Sequence, residues 1–121
     1  MIILNLKNFT LVRMRNSKIK NLVLESLREL KAVNTVTINV KKMSYFTDYM
    51  VITTGTSSRH ITALSEKVID KLKENKINLV GVEGHGEEEW VLIDIGDIVL
   101  HLMSNKKRSF YDLESLWDAD L

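Results

Sequence analysis

Phe46-Thr47-Asp48-Tyr49-Met50-Val51-Ile52-Thr53-Thr54-Gly55-Thr56-Ser57-Ser58-Arg59-His60 passes from an unbroken apolar run into a glycine and a cluster of hydroxyls. The run from Tyr49 to Thr54 is short enough to be a strand covered on both faces. Gly55 with Thr56, Ser57 and Ser58 marks a turn and a helix N-terminus, where side-chain oxygens satisfy N–H groups that the first helical turn leaves unpaired. On the helix that follows, Ile61, Leu64, Val68 and Leu72 form one stripe. Glu66, Lys67, Asp70, Lys71 and Lys73 lie largely off it, so one face enters a core and the other meets water. Asn75 is a candidate C-cap. A strand, a tight turn and an amphipathic helix in succession predict an α/β unit.

The same reading extends in both directions. Thr35 to Val40 is β-branched and alternating, a half-buried strand, and Lys41 to Phe46 connects it to the run above. Before it, Ile19, Leu22, Val23, Leu27 and Leu30 recur at helical spacing with Ser17 as N-cap. After the central helix, Leu79 to Glu83 reads as a brief strand and residues 84–89 as a polar loop. Trp90 to Asp94 and Asp97 to Met103 are joined by Ile95-Gly96, a hairpin signal. Both are apolar at nearly every position, which predicts a hairpin covered on both faces. Phe110, Leu113, Leu116 and Trp117 make a last helical stripe. The order α-β-β-α-β-β-β-α predicts one α/β (α+β) domain with a mixed five-stranded sheet flanked by helices. The central helix is expected to act as a right-handed crossover between neighbouring strands.

At 121 residues the chain fits one domain and buries about two-thirds of its unfolded surface. Hydrophobic content of 45% and charged content of 27% are ordinary for a globular protein. A net charge of +1 argues against nucleic-acid binding by bulk electrostatics. Without cysteine there is neither a disulfide framework nor a thiolate metal site, which makes a reducing cytoplasm the expected compartment. Residues 1–24 contain no Asp or Glu, as in organellar transit peptides, and an organellar address stays open. The apolar start, Met1 to Val12, is interrupted by Asn5, Lys7 and Asn8 and falls short of the ~20 residues of a membrane span. Residues 1–16 therefore read as an N-terminal extension, disordered or preceding a true start at Met14, and residues 17–121 as the domain.

Each candidate site has a simpler explanation beside it. The turn at Thr54–Arg59 offers backbone N–H groups and a helix dipole to a phosphate. It matches neither GxGxxG nor a Walker loop, so capping is the favoured explanation. Asp94 and Asp97 invite a divalent ion, but they are separated by Ile95-Gly96 and aspartate is a favoured turn residue. His101 lies inside an apolar strand, His60 on a first helical turn, and His85 in a glycine loop beside Glu83, Glu87, Glu88 and Glu89. No HExxH, zinc-finger or GxSxG spacing occurs, so catalysis is unsupported. Trp90, Tyr111 and Trp117, with Lys106, Lys107 and Arg108, are residue types that dominate interface energetics. They serve either a partner surface or the attachment of the last helix to the core, and the residues alone leave both open. If Trp90 belongs to a partner surface, Trp90→Ala is expected to cost about 2 kcal/mol of binding with little change in melting temperature.

Several segments together carry a resemblance: Thr47-Asp48-Tyr49, Thr54 to His60, Gly81-Val82-Glu83-Gly84, Trp90-Val91-Leu92-Ile93-Asp94, Gly96-Asp97 with His101, and Phe110 to Glu114 ending in Leu116-Trp117. In this order, over residues 17–117, they resemble the ribosomal silencing factor family, also called Iojap-like. The resemblance implies a nucleotidyltransferase-like fold without catalytic residues, and a binding protein in place of an enzyme, with no cofactor; the alternative is a residual nucleotidyltransferase that binds a nucleotide through Asp94, Asp97 and the Thr54–Arg59 turn. It implies a partner, large-subunit ribosomal protein fourteen, and a mechanism in which the bound factor blocks joining of the small and large subunits and represses translation. It also implies a homodimer in the free state and, for organellar relatives, a role in large-subunit assembly. Carried onto this chain, the partner surface would comprise Trp90, Leu92, Asp94, His101 and Tyr111, with Lys107 and Arg108 beside it and a minor rRNA contact through Lys106-Lys107-Arg108. Asn34 and Asn39 stand where relatives often carry an acidic residue, which leaves the first strand's surface less acidic.

Overall fold

A computed structural model describes residues 6–84 and 89–117, with side chains from residue 17 onward. Nine elements follow in chain order: α1 (Leu6–Glu29), β1 (Val33–Asn39), β2 (Tyr49–Thr54), α2 (Ser58–Glu74), β3 (Gly81–Glu83), β4 (Trp90–Asp94), β5 (Ile98–Met103), α3 (Asn105–Tyr111) and α4 (Leu113–Trp117). The strands form one mixed sheet in the order β1-β2-β5-β4-β3. β2 and β5 run parallel, and the other three pairings are antiparallel.

Three expectations are corrected. Ser17 does not cap the first helix, because α1 begins at Leu6 and runs through it; residues 6–17 contain neither glycine nor proline to interrupt the helix. The crossover through α2 does not join neighbouring strands. It carries the chain from β2 to β3 at the far edge, and β4 and β5 fold back as a meander until β5 pairs with β2. The last helical stripe is divided between α3 and α4, since Asp112 adopts a left-handed conformation with φ of 46°. Its N–H closes α3 on the Arg108 carbonyl and turns the chain.

Strand periodicity then sorts the apolar residues onto two faces. Val51 of β2, Val91 and Ile93 of β4, and Ile98, Leu100 and Leu102 of β5 point toward α1 and α2. There they meet Ile19, Val23 and Leu27 of α1 and Ile61, Leu64, Val68 and Leu72 of α2 in the main core. The alternate residues Ile38, Met50, Ile52 and Met103 face the other way and make a smaller cluster with Val36, Trp90, Leu113 and Trp117. Two short helices cannot cover what two long ones cover. β4 alternates half-buried and buried along its length, with Trp90, Leu92 and Asp94 on the half-buried side. The hairpin expected to be covered on both faces is therefore covered fully on one.

Candidate partner-binding site

β4 and β5 pair in a register that sets Leu92 opposite His101, Trp90 opposite Met103 and Asp94 opposite Val99. Because side chains alternate, Trp90, Leu92, Asp94, Val99 and His101 all lie on the face away from α1 and α2. The Trp90 indole N–H donates to Nδ1 of His101 at 3.0 Å. Tyr111, at the end of α3, sets its ring on Trp90 with centroids 4.9 Å apart and a 50° tilt. Phe110 meets Tyr111 edge-on at 5.0 Å. Lys107 places its ammonium 5.8 Å from the Tyr111 ring and 4.0 Å from a Glu89 carboxylate oxygen.

Electrostatics reinforce this arrangement. Burial lowers the His101 pKa to about 4, so at neutral pH the imidazole is uncharged. With Nδ1 accepting from Trp90, its proton sits on Nε2. His101 is 6% exposed; its visible work is to hold the indole. Trp90 joins the second apolar cluster through Met103 while one part of it stays accessible. Trp90 thus fills the packing role, and Trp90→Ala is expected to cost stability as well as any binding.

Arg108 is drawn into the fold. Its Nε donates to Glu114 at 2.6 Å and its Nη1 to the Thr54 hydroxyl at 3.0 Å, leaving its side chain 11% exposed. It clamps α3 and α4 to the end of β2. With Lys107 beside Glu89, the run Lys106-Lys107-Arg108 presents much less open positive charge than its composition implies.

The turn after β2 is a cap. The Ser57 hydroxyl accepts the His60 N–H at 3.0 Å and the Ser57 carbonyl accepts from Ile61. The Thr56 N–H donates to Nδ1 of His60, whose Nε2 lies 2.7 Å from the Leu30 carbonyl. His60 therefore links the start of α2 to the end of α1. A cleft of about 570 Å³ opens beside the turn, and its single charged lining residue is Glu89, the wrong sign for a phosphate. Asp94 accepts the Gly96 N–H at 2.9 Å, as a turn aspartate does. Asp97 adjoins the start of β5, which is level with Tyr49, whereas Met103 at its end is level with Thr54. At about 3.3 Å per residue the two aspartates and the turn stand on the order of 17 Å apart along the strands, so they do not form one nucleotide site. Among the described residues no three His, Cys, Asp or Glu side chains converge on a point that would hold a metal ion. His85, Glu87 and Glu88 lie outside the described residues.

Comparison with known proteins bears on the family and the fold. The family model described as "Ribosomal silencing factor during starvation" matches residues 14–120. A ribosomal silencing factor RsfS of Chromobacterium violaceum is 38% identical over 104 residues, covering 86% of this chain and 85% of that protein. A mouse protein named "Mitochondrial assembly of ribosomal large subunit protein 1" is 34% identical over 100 residues, or 80% of this chain and 44% of its own length. A crystal structure of a Chromobacterium violaceum protein superimposes with a TM-score of 0.81 at 39% identity, over 84% of both chains. With the family model covering nearly the whole domain and the five-stranded mixed sheet shared with a solved relative, the chain belongs to the ribosomal silencing factor family.

Proposed function

We propose that this protein binds the large ribosomal subunit through ribosomal protein fourteen and occludes the surface on which the small subunit docks, repressing translation. The observation that carries the reading is the half-covered face of β4 and β5, where Trp90, Leu92 and Tyr111 stand accessible around a histidine that fixes the indole. Aromatic anchors surrounded by aliphatic and polar groups are what a protein–protein hot spot requires. Occlusion needs no turnover and no cofactor; an interface of about 1,200–2,000 Å² is sufficient. In the free protein the same apolar face pairs with a second copy. The protein acts in the compartment that houses its ribosomes, the cytoplasm in a bacterial host.

A second reading, large-subunit assembly through the same surface, draws on the name of the mouse relative. Co-sedimentation with purified large subunits, followed by addition of small subunits, separates the two. Co-pelleting with suppressed joining supports silencing. Co-pelleting with normal joining, together with precursor subunits accumulating on depletion, moves the role to assembly. Failure to pellet with large subunits removes both.

A further inference from the structure

The chain carries 17 Lys and Arg against 16 Asp and Glu, but residues 1–24 hold five of the cations and none of the acids, so the remainder is net −4. Near neutrality thus hides a strongly polar molecule. α1 carries those five cations in sequence, and the loop between β1 and β2 adds Lys41 and Lys42. The tertiary structure brings the two elements together: the Lys20 ammonium lies 4.6 Å from the centre of the Tyr49 ring and that of Lys41 lies 5.1 Å from it. Among the described residues neither lysine, nor Lys18 or Lys42, forms an ion pair with a carboxylate. Both ammonium groups lie at the Tyr49 ring with no carboxylate paired to them among the described residues, and an anion beside them would gain from both charges.

The loop also presents aromatics. Tyr45 is 102% exposed and Phe46 is 90% exposed. The loop's backbone is bonded to itself: Met43 and Ser44 donate to the Val40 carbonyl, and Phe46 and Thr47 donate to the Ser44 hydroxyl. Its base is held by Val40 to Asp48 and by Asp48 and Tyr49 to the Asp97 carbonyl. Two rings are therefore displayed on a structured turn that carries Lys41 and Lys42 and lies against Lys20. Ammonium groups for phosphates and bare rings for unstacked bases are the combination that binds single-stranded or looped RNA.

We propose that Lys20, Lys41, Lys42, Tyr45 and Phe46 form an RNA-contact surface that takes the phosphates and unpaired bases of an exposed RNA loop. The proposal rests on the reading of this protein as a ribosome-binding factor and adds a second, nucleic-acid contact to it. It also moves the expected RNA contact away from Lys106-Lys107-Arg108, where Arg108 and Lys107 face carboxylates.

The test uses full-length protein and two fluorescein-labelled RNA probes, a stem with a six-nucleotide unpaired loop and a blunt duplex of equal length, read by anisotropy at two salt concentrations. Wild type binds the looped probe more tightly, and salt weakens binding to both. Lys41→Glu with Lys42→Glu weakens both at least tenfold. Tyr45→Ala with Phe46→Ala weakens the looped probe roughly five-fold or more, the range expected for a stacked base, and leaves the duplex unchanged. Equal binding by wild type and both double variants overturns the proposal, as does capture by phosphatidylserine vesicles without RNA binding. Because the altered side chains are exposed, unchanged melting temperatures confirm that each variant folds. Co-sedimentation with large subunits separates this inference from the underlying function. Loss on Tyr111→Ala with no effect of either loop variant at any salt leaves the function standing and removes the RNA surface. No pelleting by wild type removes the function itself.

Discussion

His101 couples the stability of the protein to the geometry of its candidate binding face. The folded pKa of about 4 lies below the ordinary histidine value of 6.5, so between those values the unfolded chain holds more protons than the folded one. Stability is therefore full above pH 6.5 and is lost as pH falls toward 4, by on the order of 3 kcal/mol at most. Urea melts at pH 7.5 and 5.0 are expected to show a larger drop for wild type than for His101→Gln, which does not titrate. Parallel slopes for the two proteins would show that other groups carry the acid sensitivity. Gly55 is constrained by contact alone. A Cβ placed there would meet Ile61 Cγ1 at 2.5 Å and its backbone nitrogen at 3.1 Å, and Ile61 is fully buried. Gly55→Ala should cost about 1–3 kcal/mol, as overpacking does; a loss under 0.5 kcal/mol in denaturant melts would mean that α2 shifts freely.

α3 and α4 decide how much of the second sheet face stays accessible, and their junction is one residue. Asp112 holds a left-handed backbone that glycine adopts at no steric cost. Asp112→Gly is accordingly expected to stabilise by a few tenths to about 1 kcal/mol, and Asp112→Val to destabilise by more than that. Thermal melts of the pair check the sign. Arg108 fastens the same junction to β2 through Glu114 and Thr54. Arg108→Ala leaves a partly buried Glu114 without its partner, and a loss of about 1–3 kcal/mol follows. If the α3–α4 segment is only clamped by this residue, hydrogen exchange should quicken there and remain slow in β2 and β5. Uniformly faster exchange would mean that the clamp is part of the global core.

At the scale of the molecule, charge is divided between a cationic N-terminal portion and an acidic remainder. Affinity for large subunits should then fall with salt, and removing Lys41 and Lys42 should flatten the log–log salt slope by about 0.7–0.9 for each phosphate that is no longer neutralised. Tyr111→Ala should weaken binding at every salt concentration and leave that slope intact. A slope unaffected by the lysines would confine recognition to the sheet face. α1 and α2 are joined across this architecture by His60 to Leu30 and by the Lys67–Glu29 ion pair at 2.9 Å, so the charged helix is held to the domain by more than apolar packing.

Much of this was legible in the residues. β2 at Tyr49–Thr54, β4 at Trp90–Asp94, the cap at Ser57 and the end of α2 at Asn75 fall where hydrophobic period, hydroxyls and turn residues placed them, because those signals act within a few neighbouring residues. The resemblance likewise named the family from local motifs. Other features depend on residues distant in sequence. β3 takes the far edge, not the place beside β2, because the β3–β4–β5 meander returns to fill that place. Arg108 turns inward because Thr54, 54 positions away, meets it there. One face of the hairpin is fully covered and the other only partly, because α1 and α2 are long and α3 and α4 are short. Hydrophobic period and turn residues determined the elements, and motif resemblance the family; only the packing of distant elements decided which side chains remain accessible to a partner.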